Sequence, residues 1–149
     1  MVVDEVGRFG QREVETGGFL LAEPGSAMVI KIAFAGDVGI VRRRRLFEIS
    51  AMAIEKLFVF ADEQHLGIPV QFHSHELGNW LSPTDEEHGF CVEGFTSVVV
   101  PQFHEPTEDV ADWGWWRFCK GRWEPCAPAM VQPGTVECFH FDEQGVWND

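Results

Sequence analysis

Apolar and polar residues alternate along the segment 67–75 of this chain. The apolar positions of this segment are Ile68, Val70 and Phe72. A two-residue period of this kind predicts a half-buried β-strand. Because side chains alternate across a strand, His73 and His75 are expected to project together from its other face, as is Gln71.

Similar patterns predict strands and helices in alternation along the rest of the chain. Strands are expected over residues 15–22, 28–34 and 95–100, and hairpins with turns at 120–121 and 142–145. The polar, proline-containing segment 101–112 is predicted to be a loop. In the second strand the inward side chains are expected to be Met28, Ile30, Ile32 and Phe34.

Two helices are predicted between these strands. The first is capped by Ser50, runs to about residue 66 and stops at Gly67. Its apolar stripe is expected to contain Ile54, Leu57, Phe58 and Ala61. The second is capped by Ser82, has Pro83 at its first position and runs to about residue 93.

The length of 149 residues and the hydrophobic content of 45% predict one domain over residues 1–149. The alternation of predicted strands and helices indicates the α/β (α+β) class. Residues 101–149 are rich in aromatic side chains. The aromatic cluster consists of Trp113, Trp115, Trp116, Phe118 and Trp123. We expect it to pack on the sheet; the alternative is a hydrophobic docking patch for a partner protein.

The charge of the chain narrows the range of partners. Its formal net charge of −13 argues against a nucleic-acid partner, because phosphate binding depends on clustered lysine and arginine. The exception is the run of four arginines from Arg42 to Arg45. We expect a solvated strand or loop there; the alternative is docking to an acidic surface of a partner protein.

No segment approaches the roughly twenty apolar residues that span a bilayer, so no membrane association is expected. The first five residues lack the basic start and apolar core of a signal peptide, which predicts a cytoplasmic location. The four cysteines contain no C-x-x-C pair and are expected to be free thiols. A nucleophilic pair of Cys91 and His88 is the less favoured interpretation of their spacing.

The strongest chemical signal lies in His73, His75 and Asp85. Two imidazoles on one strand face and a carboxylate from the next helix form a three-ligand set for zinc that leaves a fourth position for water. A hydrolytic metal site requires that open position, whereas a structural zinc is closed by a fourth protein ligand. These residues therefore predict a metallohydrolase.

Glu15, followed by Gly17 and Gly18, adds a carboxylate at the mouth of the first buried strand. Together with His73-Ser74-His75, Ser82 and Asp85, this order of residues resembles the JAMM metalloprotease family, whose domain is also called JAB1/MPN/Mov34. The resemblance is closest to its compact prokaryotic members. It covers about residues 13–100 and leaves the aromatic residues 101–149 outside.

The resemblance implies a single JAB/MPN domain, a curved mixed sheet with flanking helices, and one Zn²⁺ per chain held by His73, His75 and Asp85. It implies that Glu15 is the acid/base partner of the water that zinc activates, and that Ser82 hydrogen-bonds the developing oxyanion. The implied reaction is hydrolysis after the C-terminal tail of ubiquitin or a ubiquitin-like protein. Prokaryotic members are linked to conjugation or sulfur-carrier systems, some in defence against phage, so partner proteins from such systems are expected.

This sequence departs from the family pattern in three places. Glu76 stands where the family usually has proline after the second histidine, and the loop 76–81 is one residue shorter than usual. Few residues precede Glu15, so the helix that often lies there is shortened, replaced or lost. Two other functions remain open: a non-catalytic MPN scaffold, and a metal-dependent hydrolase of a sulfur-carrier adduct or small amide.

Overall fold

The computed structural model describes residues 1–131 and 136–148. Its helices are α1 (Val2–Gly10), α2 (Ala51–Glu63) and α3 (Pro83–His88). Its strands are β1 (Gly17–Ala22), β2 (Met28–Ala35), β3 (Ile40–Arg43), β4 (Leu46–Ile49), β5 (Gly67–Ser74), β6 (Thr96–Val100), β7 (Gly114–Cys119), β8 (Arg122–Pro125), β9 (Met130–Val131), β10 (Glu137–Asp142) and β11 (Gly145–Trp147). The predicted mixed α/β (α+β) class is confirmed.

Nine of the described strands form one mixed sheet. Its order is β11-β10-β2-β1-β5-β6-β7-β8, with β9 paired to β2. β1 is antiparallel to both of its neighbours, β2 and β5, whereas β5 and β6 run in parallel. β3 and β4 form a separate hairpin. The strands that carry the predicted site therefore lie near the middle of the sheet.

Both faces of the sheet are covered, and β1 is buried along its whole length. On one face, Val6 of α1 packs in a core that includes Leu20 and Phe72. On the other face, Leu57 of α2 packs in a core that includes Phe19 and Phe141. The β3–β4 hairpin joins this second layer. Since His73 and His75 alternate with Phe72, they face the side covered by the hairpin and α2.

Gly17 explains why the hairpin approaches β1 so closely. A Cβ atom on Gly17 would lie 2.3 Å from the Phe72 carbonyl oxygen and 2.6 Å from Cε1 of Phe47. The Phe47 ring of β4 therefore packs directly on the backbone of β1. This contact brings the hairpin next to Glu15, which precedes β1 rather than lying within the predicted strand 15–22.

The predicted C-terminal ends of the two helices are wrong. α2 ends at Glu63 because Gln64 caps it and His65 adopts a left-handed φ of 56°. Gly67, predicted as the stop of this helix, instead begins β5. α3 ends at His88 because Gly89 turns extended, with φ −67° and ψ 165°. A helix does precede Glu15, since α1 occupies Val2–Gly10.

Two predicted faces are also corrected. In α2, the buried face also contains Ala53, whereas Phe58 is 42% exposed and contacts Phe19 and Phe90 at the margin of the apolar stripe. In β2, Val29 is buried whereas Met28 and Ile30 are only half-buried. The second half of β2 is buried at every position because both faces of a central strand are covered there, so alternation is lost.

Two further local predictions agree with the structure. Ser50 caps α2 by accepting a hydrogen bond from the Ala53 N–H, and both predicted hairpins are present. In the described residues, every helix is too short or too polar to span a bilayer.

Candidate metal centre

The two predicted histidine ligands project from the C-terminal end of β5. His75 directly follows the strand, and its N–H donates to the Val100 carbonyl at 2.9 Å. Its own carbonyl accepts from the Phe103 N–H at 3.0 Å. These bonds keep the chain extended beyond β5, and the Nε2 atoms of His73 and His75 consequently lie 3.1 Å apart.

Asp85 reaches the histidines from the first turn of α3. The Ser82 hydroxyl accepts from the Asp85 N–H at 3.1 Å, and Asp85 Oδ2 accepts from the Ser82 N–H at 2.8 Å. This reciprocal cap fixes the carboxylate. Its Oδ2 lies 3.1 Å from Nε2 of His73 and 3.0 Å from Nε2 of His75. The loop 76–81 therefore delivers Asp85 to both rings.

The three ligand atoms form a nearly equilateral triangle. A tetrahedral ion with ligand distances of about 2.0–2.1 Å separates its ligand atoms by about 3.3–3.4 Å, so small side-chain shifts suffice. The side chains of His73, His75 and Asp85 are 9%, 12% and 20% exposed. These three residues could hold a metal ion.

Glu15 and Asp85 have opposite pKa shifts. Burial, reinforced by the negative charge of Asp85, raises the pKa of Glu15 to about 8. Burial also acts to raise the pKa of Asp85, but the hydrogen bonds from His73 and His75 outweigh it and hold that pKa well below its usual range. Near neutral pH and without a bound cation, Asp85 is therefore ionised while Glu15 is mostly protonated.

All the predicted site residues line one cleft of about 390 Å³. They are Glu15, His73, His75, Ser82 and Asp85. The turn of the β3–β4 hairpin also lines this cleft, with Arg44 and Arg45. Leu77 and Trp80 line it as well, and they are 70% and 60% exposed.

Glu76 holds the hairpin turn against the segment after His75. Nε of Arg44 donates to Glu76 Oε2 at 2.9 Å, and Nη2 donates to Oε1 at 2.6 Å. These hydrogen bonds lower the pKa of Glu76. The prediction that the arginine run is solvated is wrong for Arg42, whose side chain is only 9% exposed because it bonds backbone carbonyls within the fold.

Part of the aromatic cluster supports the segments that carry the ligands. Nε1 of Trp123 donates to the Glu86 carbonyl of α3 at 3.3 Å. The Trp123 ring packs on Gly89, where an added Cβ atom would lie only 2.9 Å from the ring atom Cζ2. Nε1 of Trp116 donates to the Asn79 carbonyl at 3.0 Å, in the loop before Ser82. Sequence reasoning missed these contacts because they join segments far apart in the chain.

No protein-family model matches this sequence, and no curated protein matches it. Two solved structures are similar in fold. The solution structure of protein DSY2949 from Desulfitobacterium hafniense has a TM-score of 0.65 and 11% sequence identity over 89% of this chain and 87% of that chain. The solution structure of a protein from Salinibacter ruber has a TM-score of 0.56 and 22% identity over 90% of each chain. At these identities the likeness shows the fold alone.

Proposed function

We propose that this chain is a zinc-dependent peptidase or isopeptidase of the JAMM type, which hydrolyses the bond after the C-terminal tail of a ubiquitin-like protein. The observation that carries the chemistry is the convergence of Nε2 of His73, Nε2 of His75 and Oδ2 of Asp85 within 3.0–3.1 Å of one another. The order of these residues after Glu15 supports the substrate class, through the resemblance to the JAMM family.

The ligand set favours a catalytic rather than a structural zinc. Two imidazoles and one carboxylate are typical of open zinc sites, whereas structural sites add a fourth protein ligand. Among the described residues, His73, His75 and Asp85 make up the whole group. When bound, zinc supplies Lewis acidity, which polarises a carbonyl and brings the pKa of water to about 7.

Glu15 has the surroundings of a general base. Its side chain is 5% exposed, and it lines the same cleft as the three ligands. A cation bound nearby favours its ionised form and so lowers its pKa from about 8 toward neutrality. Glu15 would then take a proton from the attacking water and return it to the leaving amine.

Ser82 retains a proton to donate. Its hydroxyl oxygen accepts from the Asp85 N–H, and no hydrogen bond within the described residues uses the hydroxyl proton. That proton is available to the carbonyl oxygen of the substrate as negative charge develops on it. One preorganised donor of this kind contributes on the order of 3 kcal/mol to transition-state stabilisation.

The lining of the cleft offers apolar contact to a peptide tail. Leu77 and Trp80 line the cleft beside the site and are largely exposed, so their side chains are accessible to such a tail. We place the protein in the cytoplasm, with proteins of a ubiquitin-like conjugation or sulfur-carrier system as its partners; defence against phage is one setting in which the JAMM family uses such systems.

The proposed function is tested with ubiquitin-like fusions that carry C-terminal extensions. The zinc-loaded protein is incubated with each fusion, and the products are read by intact mass spectrometry. Cleavage directly after the tail is expected, with loss of activity in a chelator and recovery on adding zinc. A protein that binds about one zinc per chain but cleaves no fusion would contradict the proposal and favour a non-catalytic scaffold.

A further inference from the structure

Arg42 is the arginine of the run 42–45 that turns into the fold. Its side chain is only 9% exposed. Nη1 donates to the Gly36 carbonyl at 2.7 Å, and Nη2 donates to the Ala35 carbonyl at 2.6 Å. The guanidinium also lies 4.1 Å from the centroid of the Phe9 ring. A planar, always charged group held by these contacts has a fixed position and direction.

The third nitrogen of the Arg42 guanidinium group reaches the residue that follows Glu15. Nε donates to Oγ1 of Thr16 at 3.1 Å. The carbonyl of the next residue, Arg43, accepts from the Glu15 N–H at 2.9 Å. The backbone of Glu15 and the side chain of Thr16 are therefore both tied to β3.

Thr16 in turn bonds the residue that lies between the two histidines. The Thr16 N–H donates to Oγ of Ser74 at 2.9 Å, and the Thr16 carbonyl accepts from the Ser74 N–H at 2.8 Å and from its hydroxyl at 3.3 Å. Both residues have 0% exposure. An unbroken series of hydrogen bonds thus runs from Arg42 through Thr16 to Ser74.

We propose that Arg42 is a positioning residue, which fixes Glu15 relative to His73 and His75 through Thr16; the inference rests on the proposed function of this site. An arginine is needed because one rigid guanidinium group supplies three separate nitrogens. Each nitrogen donates to a different acceptor: Oγ1 of Thr16, the Ala35 carbonyl and the Gly36 carbonyl. A lysine keeps the charge but has a single nitrogen, so it does not hold this geometry. The role is internal and does not require a docking partner.

The test compares Arg42→Lys with Arg43→Lys, a control at the exposed neighbour on the same strand. Amide hydrogen exchange is measured by NMR on the zinc-free full chain, and kcat, KM and zinc stoichiometry are measured on the zinc-loaded protein with a cleavable fusion. We expect exchange at Glu15 and Thr16 to be at least 10-fold faster in Arg42→Lys. We also expect kcat to fall at least 10-fold, with KM and zinc stoichiometry unchanged.

Thr16→Val supplies a second variant, because it removes the hydroxyl that Arg42 bonds and nearly preserves the side-chain shape. It should reproduce the local exchange change, and the double variant should be no worse than Arg42→Lys alone. The inference would be overturned if exchange at Glu15 and Thr16 were unchanged in Arg42→Lys, or if exchange became equally faster throughout the chain. The same effects in Arg43→Lys would also overturn it. If the wild type cleaves no fusion, the proposed function fails while the exchange rates still decide whether Arg42 positions Glu15.

Discussion

At the residue scale, Glu15 and Asp85 share a cleft but meet different surroundings. Asp85 accepts hydrogen bonds from two histidines and a backbone N–H, and these favour its charged form. Glu15 is 5% exposed and feels the negative charge of Asp85, and its pKa is raised to about 8. Pairs of carboxyl groups driven apart in pKa commonly divide the roles of ligand or nucleophile and acid/base.

Replacement of Glu15 separates metal binding from catalysis. Glu15→Gln should retain about one zinc per chain, because Glu15 is not among the three convergent ligands. Turnover of a fusion substrate should fall by at least about 100-fold, the usual loss when a general base is removed. Glu55→Gln, at an exposed carboxylate of α2 that does not line the cleft, is the matched control and should cleave normally. Normal turnover by zinc-loaded Glu15→Gln would exclude Glu15 as the base.

Glu15 also predicts how the stability of the zinc-free protein depends on pH. Its pKa rises from an ordinary 4.5 to about 8 in the fold, so between these values the folded chain binds more protons than the unfolded chain. The contribution of Glu15 to the free energy of unfolding is therefore complete below about pH 4.5. As the pH rises from 4.5 toward about 8, this contribution is lost by at most about 1.4 kcal/mol per pH unit.

Denaturant unfolding of wild type and Glu15→Gln, both in chelator, measures this effect. Gln does not ionise, so the variant should gain stability relative to wild type as pH is raised from about 5 to about 8. A difference between the two proteins that stays constant over that range would show that Glu15 ionises normally in the fold.

At the element scale, the site depends on close contacts between strands, the hairpin and α3. Phe47 of β4 lies on Gly17 of β1, and this contact sets the hairpin beside the cleft. Trp123 of β8 bonds the carbonyl of Glu86 and packs on Gly89, so it fixes the end of the short helix that presents Asp85. The helix itself has no buried residue and depends on such contacts.

Two strand glycines give a matched test of how closely Phe72 of β5 and Phe47 of the hairpin approach the backbone of β1. In Gly17→Ala the new Cβ would lie 2.3 Å from the Phe72 carbonyl oxygen, and we expect the free energy of unfolding to fall by about 1–3 kcal/mol. In Gly67→Ala the nearest atom, the Ala22 carbonyl oxygen, is at an ordinary 3.7 Å, and a change within about 0.5 kcal/mol is expected. Equal stabilities for the two variants in urea titrations would refute the close approach.

The support that Trp123 gives to α3 should appear in metal affinity. Trp123→Phe keeps an aromatic ring but removes the hydrogen bond to Glu86, and zinc binding should weaken on the order of 10-fold. The control is Trp147→Phe, at a residue of β11 that is 40% exposed. Competition with a chromophoric chelator measures both affinities; equal values would mean that Trp123 does not support Asp85.

At the scale of the whole molecule, the sequence was informative wherever a feature depended on neighbouring residues. The alternation along β5 predicts that His73 and His75 lie on one face. The helix cap at Ser82 predicts that Asp85 lies in the first turn of α3. Features that depend on distant segments could not be predicted, such as the burial of Arg42. The extent of α3 was missed because Trp123, far along the chain, packs where that helix ends.

The central claim is that His73, His75 and Asp85 share one metal ion. It is tested most directly by zinc K-edge X-ray absorption on protein dialysed after loading with one equivalent of zinc. The account predicts that about one zinc per chain is retained, with only nitrogen and oxygen ligands at about 2.0–2.2 Å, including two imidazoles. Loss of the zinc on dialysis, or a sulfur ligand at about 2.3 Å, would contradict it.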